Sequence, residues 1–187
     1  QRAFAAGGHQ FQRLQVLVLV EEHRAAVLQG ADAVVNLIGI LHQGRHASFD
    51  KMHHQLPARL AKICAAAGIR RIVHMSSLRA AKDAPSKYLR SKAAGEAALI
   101  VNAQQLDVTV FRPSVIFGRG DSFINLFARL TRLLPLVLLA KPDAKFQPVW
   151  VEDVASCFAA SIQNTETYGQ VYELTGPRVY TFRQLVQ

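Results

Sequence analysis

Arg71-Ile72-Val73-His74-Met75-Ser76-Ser77 is the stretch on which the reading of this chain turns. A short β-prone run with Ile72, Val73 and Met75 as its apolar members breaks into two hydroxyl residues. Strands without a polar face belong to parallel sheets covered by helices on both sides. Upstream, Phe49 to Ala67 reads as a long helix stopped by Gly68, with Pro57 inside it imposing a kink or a late start. Before that come a polar loop, Gly39 to Ser48, and a second apolar strand, Ala33 to Ile38. Further upstream, Leu14 to Val20 reads as a strand and Glu21 to Gln29 as a helix closed by Gly30. Downstream, Lys87 to Val101 has helix formers throughout, and Asp107 to Arg112 is a strand ended by Pro113. Pro148 to Val151 is a short strand leading into a helix from Glu152, Val171 to Leu174 is another strand, and Thr181 opens a last helix. Apolar strands alternating with helices give an α/β chain, a Rossmann-like, doubly wound parallel sheet.

Composition narrows the partners. The chain has 187 residues, is 50% hydrophobic and carries a formal charge of +9. That is enough apolar material for a packed domain and excludes disorder. The arginines are scattered rather than interleaved with aromatics, which reads against nucleic acid and leaves a phosphate-bearing ligand or an anionic membrane surface. Cys64 and Cys157 each lie in an apolar helical run, with no disulfide framework and no secretory signal. A reducing compartment follows, of the cytoplasmic or mitochondrial-matrix type. The longest apolar stretch, Phe123 to Ala140, is interrupted by Arg129, Arg132 and Pro135 and is not expected to span a bilayer. Phe123, Phe127, Leu130 and Leu134 repeat at helical spacing. They read as core packing or, with Arg129 and Arg132, as a peripheral membrane contact.

The chemistry concentrates in Tyr88-Leu89-Arg90-Ser91-Lys92, at the start of a helix. Tyr and Lys four apart share one helical face. An ammonium beside a phenol is expected to lower the phenol's pKa toward the working range. Alone, this spacing arises often by chance; its position adds to it. Ser77 follows a buried strand at the edge where α/β sheets bind ligands, and its hydroxyl would hold a substrate carbonyl and steady the phenol. One of the two serines is expected only to turn the chain. Asn36 to Gly39 and Arg112-Pro113-Ser114 end neighbouring strands, so three strand tips converge on one crevice. His42, His46, His53 and His54 lack the rigid spacing of metal ligands and read as solvated loop and helix surface, so no metal is expected.

Together these segments resemble a family. Asn36-Leu37-Ile38-Gly39-Ile40-Leu41, Met75-Ser76-Ser77, Ser86 to Glu96 and Arg112 to Gly118 are similar to the atypical or extended short-chain dehydrogenases, the NAD-dependent epimerase/dehydratase-like group. Asp121 to Ala128, Phe146 to Ala155 and Gly169 to Thr181 resemble the branch that holds the nucleotide-binding accessory subunit of respiratory complex I and its bacterial relatives. The resemblance implies an NAD- or NADP-binding Rossmann domain, with Tyr88 as acid/base, Lys92 holding the cofactor ribose and Ser77 orienting substrate. It places Asn36, Gly39, Arg112, Pro113 and Ser114 along the cofactor. It divides the chain into a partial NAD(P)-binding domain, 1–120, and a partial substrate or partner region, 121–187, with 148–163 packing back on the first. The implied activity is oxidoreduction, or epimerisation, of a carbonyl/alcohol or nucleotide-sugar-like small molecule by the full-length parent, with this segment expected to be inactive by itself. The alternative is a silent NADPH-binding accessory or assembly protein of a respiratory or quinone pathway, at a membrane respiratory complex or peripheral to the inner membrane. The family's Gly-rich phosphate loop has no counterpart here, since Gly7-Gly8 follows no strand, and the acidic residue usually ending the strand matched by Leu14 to Val20 is also missing, Glu21 being a poor substitute, so that NAD is not separated from NADP. A sheet without its central strand would expose an apolar edge. The chain therefore reads as a segment lacking the first two β-α units and part of the C-terminal domain.

Overall fold

The computed structural model describes residues 28, 30–45, 47–101, 104–119, 121 and 141–186. The expected strand Leu14 to Val20, nearly all of the helix after it, Gly7-Gly8 and the stripe Phe123 to Leu134 lie outside the described residues. In chain order the elements are β1 (Ala33–Asn36), a π-helical turn (Asp50–Gln55), α1 (Leu56–Ala66), β2 (Arg71–Met75), α2 (Lys87–Ile100), β3 (Asp107–Pro113) and β4 (Ile116–Phe117). Then follow β5 (Lys145–Phe146), β6 (Val149–Trp150), α3 (Val151–Ile162), a 3-10 turn (Thr165–Thr167), β7 (Val171–Leu174), β8 (Tyr180–Thr181) and α4 (Phe182–Val186).

β1, β2, β3 and β7 form one parallel sheet in that order. Within each apolar run, alternate residues serve opposite faces. Val34, Ile72, Val108 and Val110 join Leu60, Ala61 and Cys64 of α1 and Leu99 of α2 in one core. Ala33, Val35, Val73 and Phe111 join Val154, Phe158 and Ile162 of α3 in the other. Runs that look uniform in sequence are thus split by the pleat, one residue to each layer. β4 pairs with β6 and β5 with β8 in two small ladders; β6 falls inside the expected strand Pro148 to Val151, whereas β4, β5 and β8 are two-residue strands that leave no periodic signal.

The long helix expected from Phe49 is in two parts. Pro57 has no N–H to give the carbonyl four residues back, which belongs to His53. The first part winds wider, as a π turn with Leu56 N–H bonded to the Lys51 carbonyl, and regular helix starts at Leu56. Gly68, at φ +73°, closes α1 as the sequence suggests. It lets Ile69 N–H reach the Cys64 carbonyl at 2.9 Å. Ser86 caps α2, its hydroxyl accepting from Leu89 N–H at 3.1 Å.

Candidate active site

The carboxyl ends of β1, β2 and β3 lie side by side, with Asn36 opposite His74 and Met75 opposite Phe111. Pairing continues past the strands: Ser76 N–H donates to the Phe111 carbonyl at 2.7 Å and Leu78 N–H to the Pro113 carbonyl at 2.9 Å. Ser114 N–H donates to the Leu174 carbonyl at 2.9 Å. The tips are laced into a firm floor, and α2 crosses it.

On that floor Ser77 and Tyr88 come together, the hydroxyl close enough to the phenol to favour its ionised form. Ser76 takes the other role, buried with its backbone in the ladder. Lys92, one turn beyond Tyr88, is 3% exposed. Its Nζ donates to the Met75 carbonyl at 2.9 Å, the one hydrogen bond it makes among the described residues. Gly39 lies directly over it; a Cβ there would stand 3.2 Å from Lys92 Nζ and 3.7 Å from His53 Nε2. The loop after β1 therefore offers only backbone at this place, leaving room beside a buried ammonium that has donors unused.

The remaining predicted residues divide. Asn36 is turned inward: its amide donates to His74 Nδ1 at 3.0 Å and its carbonyl oxygen accepts from Ile38 N–H at 3.2 Å, shaping the turn before Gly39. Arg112 forms a bidentate pair with Glu96, at 3.0 and 2.6 Å, one turn along α2 from Lys92. Its guanidinium braces α2 against β3. Pro113 and Ser114 sit at the laced strand tip.

Electrostatics departs from the sequence expectation at Tyr88. Burial pushes its pKa up, and the nearby Ser77 hydroxyl only partly offsets this. The ammonium points at the Met75 carbonyl instead, so the phenol keeps its proton at neutral pH. Burial lowers Lys92 to about 8, with Glu96 opposing; at pH 7 it is still the cation.

Histidines supply what the sequence reading missed. His53, read as solvated, is buried at 1% exposure; His54 is exposed and pairs with Asp50 at 3.0 Å. His74 is buried within electrostatic reach of Lys92, and its Nε2 and the Ser76 hydroxyl have no hydrogen-bond partner among the described residues. Two adjacent histidines on a helix, one facing α2 and one outward, were the available signal.

Residues 3–174 match the NAD dependent epimerase/dehydratase family. The chain belongs to that family. Over 172 residues it is 36% identical to the mitochondrial NADH dehydrogenase [ubiquinone] 1 alpha subcomplex subunit 9 of Arabidopsis thaliana, covering 89% of this chain and 42% of the relative. It is 28% identical over 132 residues to a ceramide reductase of Caulobacter vibrioides, covering 71% and 41% of the two chains. Among solved structures, a dTDP-glucose 4,6-dehydratase of Streptomyces venezuelae, DesIV, determined with NAD bound, shares the fold at TM-score 0.74 and 23% identity. The match spans 87% of this family member and 57% of the dehydratase. The chain thus spans about two fifths of the length of the curated relatives it matches. Among its described residues, no helix is long and apolar enough to cross a membrane.

Proposed function

We propose that this chain forms the ribose-holding and proton-transferring part of a short-chain-dehydrogenase-type oxidoreductase that interconverts a carbonyl and an alcohol using NAD or NADP. The observation that carries the reading is the pairing of a buried, under-used ammonium with a protonated phenol one turn away, beside a loop that is glycine at the point of contact. Lys92 would donate its free N–H groups to the ribose hydroxyls, with Gly39 giving the space. The dinucleotide, when bound, supplies or accepts the hydride. Ser77 would hold the carbonyl oxygen, and Tyr88 would deliver a proton to it from its Oη as reduction proceeds, or take one back in oxidation. A phenol held in its protonated form by burial is set for the reductive direction at neutral pH. Arg112, through Glu96, would keep α2 at a fixed height above the strand tips.

The test compares the full chain with Tyr88→Phe, following NADH and NADPH oxidation across a panel of ketones and nucleotide sugars. Loss of about 10²–10⁴ in kcat is expected for the variant; equal rates with a turned-over substrate would refute the role of Tyr88. A second reading is a catalytically silent NADPH-binding accessory protein of a respiratory complex, peripheral to the inner membrane in a matrix-type or cytoplasmic compartment. The 36% identity to the Arabidopsis complex I subunit favours it. It predicts tight NADPH retention, no turnover with any member of the panel, and co-purification with membrane partners.

A further inference from the structure

His53 is ringed by contacts that leave its protonation no choice. Ile40 N–H donates to Nε2 at 3.0 Å, so Nε2 holds the lone pair and the ring proton is on Nδ1. Nδ1 stands 2.8 Å from Ser91 Oγ, and that hydroxyl gives its own hydrogen to the Tyr88 carbonyl at 2.7 Å. One direction of donation satisfies the whole chain: Ile40 N–H to His53, His53 Nδ1–H to Ser91, Ser91 O–H to Tyr88. The ring is also fixed in its plane. It stacks on Phe49, with centroids 5.4 Å apart, and meets the Tyr88 ring edge-on at 5.3 Å.

We propose that His53 is a positioning residue: as the neutral Nδ1–H tautomer it ties the loop carrying Gly39 to the first turns of α2, and so sets the spacing between that loop, the Tyr88 phenol and the Lys92 ammonium. The positioning role rests on the proposed oxidoreductase function; the tether itself does not. Ile40 follows Gly39 directly, and Ser91 precedes Lys92 directly, so a shift of either hydrogen bond moves a proposed ribose contact. The ionisable groups facing the ring are Lys92 and Tyr88 from α2 and His74 from β2. None is a carboxylate. A proton on Nε2 would both break the Ile40 bond and set a second cation beside Lys92. Burial, with Lys92, accordingly holds His53 at about 4. The π turn that carries His53 reaches this place because α2 has glycine where the two backbones meet: a Cβ on Gly95 would collide with the His53 carbonyl oxygen. Single π turns of this kind often mark functional sites.

A histidine that merely fills space would give a different result from a tether. The experiment uses the full chain. Nitrogen-15 NMR of the histidine rings reads the tautomer from about pH 5.5 to about pH 8, and dissociation constants for NADH and NADPH are taken by fluorescence for wild type, Ser91→Ala, His53→Leu and His53→Gln. The expected result is an Nδ1-protonated, non-titrating His53 and dinucleotide binding weakened about tenfold in Ser91→Ala and His53→Leu. His53→Gln, which keeps an acceptor and a donor on one side chain, recovers most of that loss. An Nε2–H tautomer, a midpoint near the ordinary value, or wild-type binding in Ser91→Ala and His53→Leu would overturn the proposal. Should His53→Leu fail to fold, Ser91→Ala, which removes a single hydroxyl, decides. Wild type that binds neither dinucleotide would instead sink the oxidoreductase reading, with the NMR still judging the tether.

Discussion

Two buried cations belong to opposite ends of β2, and they are treated in opposite ways. Arg71, at the amino end, donates from Nε to the Ile162 carbonyl and from Nη1 to the Asp107 carbonyl. Its Nη2 reaches the Ser161 carbonyl and the hydroxyls of Thr109 and Thr167, and Tyr168 lies over the guanidinium at 4.5 Å. Lys92, over the carboxyl end, is as deeply buried and makes one hydrogen bond among the described residues. A buried charge each of whose nitrogens donates is a staple; one with donors to spare is built for something that arrives later. The burial cost is similar, so the difference lies in what remains to be satisfied.

The largest effect expected from this contrast is at the staple. Arg71→Met leaves three carbonyls and two hydroxyls around it without their donor and should destabilise the fold by about 3 kcal/mol or more, read by urea unfolding. If stability hardly changes, the arginine is not holding α3 to the sheet.

Acid gives the next largest when taken over a single pH unit. His53 and His74, both near Lys92, have values of about 4 and about 3 against an ordinary 6.5, mainly because burial penalises their charged forms. The unfolded chain accepts protons that the fold refuses. The stability they contribute is therefore complete above about pH 6.5 and is lost as pH falls toward 4, at about 1.4 kcal/mol per pH unit for each histidine. No histidine is among the partners of Arg71, so hydrogen exchange on acidification should quicken first in the π turn and the start of α2. Faster exchange starting instead in α3 would reverse the comparison.

Smallest should be the stability change for Lys92→Met. Removing an ammonium that is costly to bury offsets the lost bond to Met75, and the melting free energy should stay within about 1 kcal/mol of wild type. The same variant should bind NADPH much more weakly. Loss of stability as large as at Arg71 would mean that both cations are staples.

Much of this was legible in the chain itself. The parallel, doubly covered sheet follows from apolar strands at β1, β2 and β3, and Gly68 marks the end of α1 without any coordinates. Tyr88 and Lys92 stand out because helical spacing is local. What could not be read is what depends on distant partners. Arg112 reads as a ligand contact, and nothing local announces that Glu96, sixteen residues earlier, takes its Nε and Nη2. His53 reads as surface because its neighbours Ile40 and Ser91 are 13 and 38 residues away. The direction of the Tyr88 shift was lost for the same reason: burial is a sum over the whole fold, whereas the nearby lysine is visible in five letters.

Gly95 carries a consequence of its own. About two turns along α2 from Tyr88, it is the spot where helix and π turn touch, and a single absent methyl decides how near they come. Inheritance at position 95 is therefore inheritance of the geometry at position 88. A lineage that gained alanine there would have to push the histidine's backbone outward, and the aromatic trio of Phe49, His53 and Tyr88 would slide with it. Drift at these two sites should be coupled, even though their side chains need never meet.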